Sequence, residues 1–323
     1  MLTFTKRPYT SSTDFVAIAN LINACDAVDK LEEETTVAEL EIEFSAPSIN
    51  LQRDLQFWEN EDDELIGFAS LWITEPSESI DGYLSFYIHP NHRHINLESE
   101  IIAWAERRMV EVSEEKQIPV RLLIGLRDSQ HERIKIVENH GFQSIRYFFT
   151  MERNLQEDIP KPQFPQGFTI RHMNGEADAQ SWVDMFNNSF IDHWNHHDLT
   201  VENLIHFLKE PSYRPELDLI AIAADGTFAA ACHCHISTEE NARTGRSEGW
   251  IGVLGTRRGY RRMGLGKAML LSGLHKLKSV GMNTARLGVD ADNPSGALGL
   301  YQSVGFYKVH TSITYMKICQ ELI

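Results

Sequence analysis

One stretch constrains this chain more than any other: Glu248-Gly-Trp-Ile-Gly-Val-Leu-Gly-Thr256-Arg-Arg-Gly-Tyr-Arg261-Arg-Met-Gly264-Leu-Gly266-Lys267. It reads as a strand, a cationic glycine loop and the start of a helix. Trp250 to Leu254 is aromatic, β-branched and aliphatic, which suits a strand. From Leu265 the pattern turns helical, with Leu265, Ala268, Leu271, Leu274 and Leu277 recurring at three-residue spacing and Gly281 as a stop. A helix start leaves backbone N–H groups unpaired, and the helix dipole adds partial positive charge there. Gly264 and Gly266 carry no Cβ, so a ligand can approach that backbone closely. Arg257, Arg258, Arg261, Arg262 and Lys267 surround the bend, and the whole reads as an anion site. The chain as a whole is acidic, with a net charge of −16, so this cationic cluster stands apart from its background. The same balance argues against a nucleic-acid or anionic-membrane partner.

A length of 323 residues suits two domains, and 42% hydrophobic residues suffice for two cores. Pro160, Pro162 and Pro165 mark residues 159–167 as an extended connector. Before it, Phe4–Arg7 reads as a strand and Ser11–Cys25 as a helix with Phe15, Ile18, Leu21 and Ile22 on one face. Leu31–Glu43 is acidic and expected to be an exposed face. Strands follow over 65–74 and 83–89, then helix 97–112, strand 120–125, helix 133–139 and a closing strand over 148–151. After the connector the order recurs. Phe168-Thr-Ile-Arg171 echoes Phe4-Thr-Lys-Arg7, and Ala179–Phe190 reads as a helix. Residues 217–223 and 228–235 form a hairpin through Asp225-Gly226. Then come the strand–loop–helix stretch, strand 285–289, helix 294–303 and strand 312–317. Two copies of one α/β fold account for the length.

Arg261-x-x-Gly264-x-Gly266 matches the R/Q-x-x-G-x-G/A signature of the GNAT acetyltransferases. A second block, Asp292-Asn293-Pro294-Ser-Gly-Ala-Leu-Gly-Leu-Tyr301-Gln-Ser-Val-Gly305-Phe306, resembles that family's N-x-x-A-x-x-L-Y-x-x-x-G-F element, with one extra residue between Asn293 and Ala297. The resemblance implies two tandem GNAT-like domains, each a twisted mixed α/β sheet flanked by helices. They would span residues 1–158 and 168–323, with 159–167 as linker. It implies acetyl-CoA as co-substrate, its pyrophosphate on Arg261, Arg262, Met263, Gly264, Leu265, Gly266 and Lys267. Its pantetheine would run along Val253, Leu254, Gly255 and Thr256. Tyr301 sits where the family places its proton donor to the CoA sulfur. Asn293 sits near the family's pantetheine contact, though read alone it is an N-cap ahead of Pro294 at N1. Glu248 lies where many members carry a general base, and it reads equally as a solvated turn residue. His233 and His235 suit the lining of an acceptor site. Cys232-His-Cys-His235 is a poor metal motif, because neighbours on a strand point to opposite faces, and no metal is expected. Asp192-His193-Trp194, with His196 and His197 after it, reads as a lid over the acceptor.

The copies differ where chemistry is concerned. Ile88–Ser99 aligns without a gap to Thr256–Lys267, setting Asn96 opposite Gly264, Glu98 opposite Gly266 and Ser99 opposite Lys267. Aligning the two Gly-Phe pairs sets Val137 opposite Tyr301 and Ser129 opposite Asn293. The first copy is therefore expected to be non-catalytic. The expected activity is N-acetylation of a primary amine of a small molecule, by direct attack in a ternary complex. A CoA-binding sensor without turnover, or transfer from a longer acyl-CoA, are the alternatives. A monomer or homodimer in the cytoplasm is expected: the start, Met1–Arg7, does not resemble a signal peptide, and Cys25, Cys232, Cys234 and Cys319 give no disulfide framework.

Overall fold

A computed structural model describes residues 4–45, 49–76, 78–194, 198–209, 213–293 and 295–320. The chain folds as two compact units. The first is built from the chain up to Arg146 and from Ser312 onward, the second from Tyr147 to Thr311.

In the first unit β1 (Thr5–Arg7), β2 (Leu55–Glu59), β3 (Leu65–Ile73) and β4 (Ile80–Ile88) pair antiparallel in that order, and β5 (Val120–Arg127) joins β4 in parallel. Around the sheet lie α1 (Asp14–Asp29), α2 (Val37–Phe44), α3 (Leu51–Asp54), α4 (Leu97–Lys116) and α5 (His131–Asn139). Helix α4 buries Leu97, Ile101, Ile102, Ala105 and Met109 in one core. Phe15, Ile18, Leu21 and Ile22 of α1 form another with Leu40 and Phe44 of α2. The acidic run expected to be only a solvated face thus contains a helix. Thr36 and Glu39 cap it reciprocally, the Glu39 N–H donating to Thr36 Oγ1 at 3.2 Å and the Thr36 N–H to Glu39 Oε2 at 2.8 Å.

In the second unit β7 (Phe168–His172), β8 (Asp218–Ala223), β9 (Phe228–His235) and β10 (Glu248–Thr256) pair antiparallel, and β11 (Thr284–Asp290) joins β10 in parallel. The helices are α6 (Ala179–Phe190), α7 (Val201–Leu208), α8 (Thr238–Thr244), α9 (Leu265–Ser279) and α10 (Ala297–Ser303). Leu265, Met269, Leu270, Leu274 and Leu277 of α9 enter one core. The helix packs closely because Gly273 is small: a Cβ there would lie 2.6 Å from Cys232 Sγ. Trp182, Val183 and Met185 of α6 and Leu204 of α7 cover the opposite face.

The units do not divide at residues 159–167. Strand β6 (Gln143–Asn154) precedes that connector, yet Phe148 to Asn154 pair antiparallel with Asp290 to Thr284 of β11. Strand β12 (Tyr307–Gln320) ends the chain, yet Ser312 to Gln320 pair antiparallel with Arg127 to Val120 of β5. The side chains follow, with Met151 and Leu155 in a second-unit core and Ile313 and Tyr315 in a first-unit core. Alternating residues mark a segment as a strand without saying which sheet edge it joins.

The internal repeat survives in hydrogen bonds. Arg7 donates to Asp14 Oδ1 at 2.9 Å and the Thr10 N–H donates to the same carboxylate at 2.7 Å. Arg171 donates to Asp178 Oδ1 at 2.9 Å and the Asn174 N–H to that carboxylate at 2.7 Å.

Candidate active site

In the second unit β10 and β11 form a fork. Their parallel pairing runs from Glu248–Thr284 to Trp250–Arg286, and both strands then continue, β10 to Thr256 and β11 to Asp290, with no further pairing between them among the described residues. At the fork β10 is bulged: Ile251 faces Cys234 and Val253 faces His233, so Gly252 is the extra residue. Bulges re-aim backbone groups and recur beside active sites. The first unit forks too, after Tyr83–Leu123. There, however, β3 and β4 keep one unbroken register from Gly67–Ile88 to Ile73–Gly82.

Beyond the fork the chain turns through the cationic loop into α9. Gly264 caps the helix at φ +91°, a conformation that favours glycine, and no side chain caps its first turn. The N–H groups of Leu265, Gly266 and Lys267 have no partner among the described residues, as expected at a helix start. Arg262, Met263, Gly264 and Lys267 are exposed, whereas the Leu265 side chain is core and only its N–H faces the loop. A Cβ on Gly266 would stand 3.4 Å from Thr256 Oγ1, so the missing side chain leaves open backbone. This cradle fits a diphosphate, the group acetyl-CoA would place there.

Two of the arginines expected around that group are engaged within the protein. Arg258 and Arg261 both bind Asp192, Arg261 at 3.2 Å. Arg261 also donates to the Ser189 carbonyl at 2.8 Å and, through Nε, to the Thr256 carbonyl at 3.2 Å. The pair, Arg258 first, holds the Asp192 carboxyl below its usual range. The loop is thereby strapped to the end of α6, which also abuts Gly255, where a Cβ would lie 3.1 Å from Ser189 and Phe190. The strap is common to both copies: Arg93 Nε donates to the Ile88 carbonyl at 3.3 Å and the guanidinium binds Asp29 at 2.7 Å. Asn96 keeps the left-handed conformation of Gly264, at φ +56°, and the buried Glu98 stands where the second copy has Gly266. What separates the copies at this bend is the open, uncharged backbone.

Tyr301 lies on α10, 7% exposed, its ring edge-on to Phe306 at 6.0 Å. Burial pushes its phenol up to about 12, so it stays protonated through the neutral range. The N-cap reading of Asn293 does not hold. Helix α10 begins at Ala297 behind Gly296 at φ +74°, and Asn293 instead accepts from the Ser295 N–H at 2.8 Å. The extra residue in this block therefore closes a turn ahead of the helix. Pro294 lies outside the described residues. Glu248 is not a solvated turn residue either. It starts β10, its side chain is 11% exposed, and its carboxylate is 3.3 Å from Arg286 Nε and 3.8 Å from Arg246. Arg286 also reaches Glu152 at 3.3 Å.

His233 and His235 share one face of β9 and Cys232 and Cys234 the other, the latter pair against Gly273 of α9. Both imidazoles address the bulge: the Cβ position of Gly252 is 3.0 Å from Nδ1 of His235 and 3.4 Å from Nδ1 of His233. Tyr213, His233, His235 and Trp250 follow one another as near-parallel rings 6.1 to 6.4 Å apart. Burial pushes His233 down to about 4 and lowers His235, leaving both neutral. Behind them the Tyr213 hydroxyl donates to Asp218 at 3.2 Å and Trp182 Nε1 to the same carboxyl at 3.4 Å. Burial raises Asp218 to about 7. Tyr213 and Asp218 escaped the sequence reading because the stack joins residues distant along the chain. His193 sits with Nδ1 3.1 Å from the Trp194 carbonyl, and Trp194 faces the Phe148 ring at 5.9 Å. His196 and His197 lie outside the described residues. Among those described, no three His, Cys, Asp or Glu residues are grouped to hold a metal ion.

The second unit thus combines a bulged fork of parallel strands with an uncapped, glycine-led helix. Residues 179–306 match the acetyltransferase (GNAT) family, and the second unit is a GNAT acetyltransferase domain, an acyl-transferring enzyme. The chain is similar to a mycothiol acetyltransferase of Thermobispora bispora, 29% identical over 305 residues and 94% of each chain. It is also similar to one of Streptomyces coelicolor, 28% identical over 257 residues, 78% of this chain and 76% of that one. Its fold resembles a GCN5-related N-acetyltransferase from Sphaerobacter thermophilus, with a TM-score of 0.79, 23% identity, and 100% and 98% of the two chains covered. It also resembles a tandem GNAT protein of the clavulanic acid biosynthesis pathway, with a TM-score of 0.73, 12% identity, and 99% and 100% covered. The tandem α/β architecture expected from the sequence is the one observed.

Proposed function

We propose that the second unit transfers the acetyl group of acetyl-CoA to a primary amine of a small molecule, in one ternary complex. The observation that carries this reading is the uncapped start of α9, with its two glycines, next to the forked strands. In this reading the N–H groups of Leu265, Gly266 and Lys267 hold the pyrophosphate, and Arg262 and Lys267 add charge beside it. The free edge of β10 over Val253, Leu254, Gly255 and Thr256 orients the thioester arm, with Asn293 and Met263 at its flanks. A backbone N–H at the bulge polarises the thioester carbonyl. Glu248, directly or through water, takes the proton of the acceptor ammonium. The amine nitrogen then bonds to the carbonyl carbon, the C–S bond breaks, Tyr301 protonates the departing sulfur, and the extra proton left on the nitrogen passes through water to the Tyr301 phenolate. The neutral rings of His233, His235 and Trp250 line the acceptor side, and Asp192-His193-Trp194 lies along its rim. The relatives' name, which ties them to mycothiol, supports a small-molecule acceptor. The first unit takes no part in the chemistry.

The test is a CoA-release assay of the full chain over amines, amino acids, polyamines and amino sugars. Turnover with one class, sharply reduced in Tyr301→Phe with acetyl-CoA affinity kept, is expected. Thioester binding with no turnover on any acceptor would favour a sensor instead.

A further inference from the structure

The first unit retains the fork without the bulge or the glycines. A cavity of about 270 Å³ opens where β4 and β5 part, with Arg133, Gln130, Tyr87 and Glu33 on its walls. Its volume falls just below the roughly 300–1,000 Å³ of pockets that take drug-sized ligands. Arg133 lies in the first turn of α5 and, by the Gly-Phe alignment, stands opposite Ala297. Its guanidinium lies 4.1 Å over the Phe86 ring, and one terminal nitrogen donates to the Phe86 carbonyl at 2.9 Å. Phe86 corresponds to Leu254, so this side chain holds the strand edge that the second unit leaves open. Arg133 Nε is buried and has no hydrogen-bond partner among the described residues. A buried donor left unmatched is costly, and an anionic ligand would recover that cost.

The opposite charge lies on the same cavity. Glu33 is exposed at the rim yet crowded by protein, and that crowding raises its carboxyl pKa. Glu33 and Arg133 attract one another across the cavity without a direct hydrogen bond between them among the described residues, and Glu33 is hydrogen-bonded to Tyr87. A cation and an anion that face one another across a small cavity match a ligand that carries both signs. The bend at the start of α4 offers no competing diphosphate site, since Glu98 replaces a glycine and Arg93 is held by Asp29.

We propose that this cavity binds a small zwitterionic amino acid, its carboxylate on Arg133 and its ammonium on Glu33. The experiment uses the full chain and titrates glycine, β-alanine and γ-aminobutyrate, with propionate and ethylamine as single-charge controls, by calorimetry or saturation-transfer NMR. At least one amino acid should bind, and both controls should bind at least about tenfold more weakly, as expected for loss of one charged hydrogen bond. Arg133→Met and Glu33→Gln should each weaken binding by about tenfold or more, without changing acetyl-CoA affinity. Glu33 is exposed, so its variant keeps the test decisive even if Arg133→Met fails to fold. The proposal is overturned if no amino acid binds, if propionate binds as well as the amino acids, or if binding is unchanged in the variants. The last result would place the ligand in the second unit's acceptor site.

Discussion

Tyr301 illustrates how a residue's surroundings fix its chemistry. A phenol pushed up to about 12 cannot serve as a base near neutrality, but it can give a proton to a thiolate formed beside it. Tyr301→Phe should lower turnover by about 10²-fold while the Kd for acetyl-CoA stays within about twofold, checked by steady-state assay and calorimetry. A proportionate loss of affinity would make Tyr301 a packing residue. A second prediction concerns His233 on the acceptor face and the buried Asp218 behind it. His233 titrates near 4 when folded against 6.5 as an unperturbed side chain, so the unfolded chain binds more protons between those values and stability rises with pH there. Asp218 titrates near 7 against 3.8, so the folded chain binds more protons and stability falls with pH from about 4 to 7. Each effect is on the order of 3–4 kcal/mol, and the two oppose one another. Urea melts at stepped pH should show Asp218→Asn gaining stability as pH rises from about 4 to 6.5 and His233→Gln losing it up to about 7. Two profiles as shallow as that of the unaltered protein would contradict these assignments.

At the level of elements, the loop between β10 and α9 combines a mechanical part and a chemical part. The arginine strap to Asp192 is mechanical. Asp192→Asn should raise the KM for acetyl-CoA several-fold with kcat nearly kept, because the loop loses its tether rather than its donors. An equal fall in kcat would place Asp192 in the chemistry. Much of this region was legible in the sequence. Gly264 identifies the helix start because few residues tolerate its left-handed backbone, and Gly266 leaves the first turn bare. The arginines were legible as charge but not as struts, since only the fold brings Ser189 and Asp192 beneath them. Helix α2 was also legible, through Thr36-x-x-Glu39, but the run of acidic residues obscured it; Leu40 and Phe44 carry its inner face. The bulge at Gly252 was not legible, because a glycine within a strand signals several things and the register that defines a bulge belongs to two strands.

For the whole molecule, the closing strands matter most. β5 of the first unit is completed by residues 312–320, more than 180 positions downstream of Val120. The sequence showed both segments as strands and showed the repeat. It could not show which sheet each would complete, because both carry the same alternation. A fragment ending near residue 158 should therefore expose the edge of β5 and melt without cooperativity, whereas adding residues 307–320 through a flexible linker should restore a cooperative transition. A cooperative melt of the short fragment would contradict that dependence.

In the proposed chemistry the open bend at Gly264–Lys267 holds the acyl donor. Gly266→Glu brings the first copy's carboxylate to the second, and its Cβ would meet only ordinary contacts, at 3.4 Å from Thr256 Oγ1 and 3.7 Å from Leu300. Calorimetric titration of acetyl-CoA into the folded variant and the unaltered protein should show saturable binding in the latter and its loss in the variant. Equal binding by both, or none by either, would contradict the account.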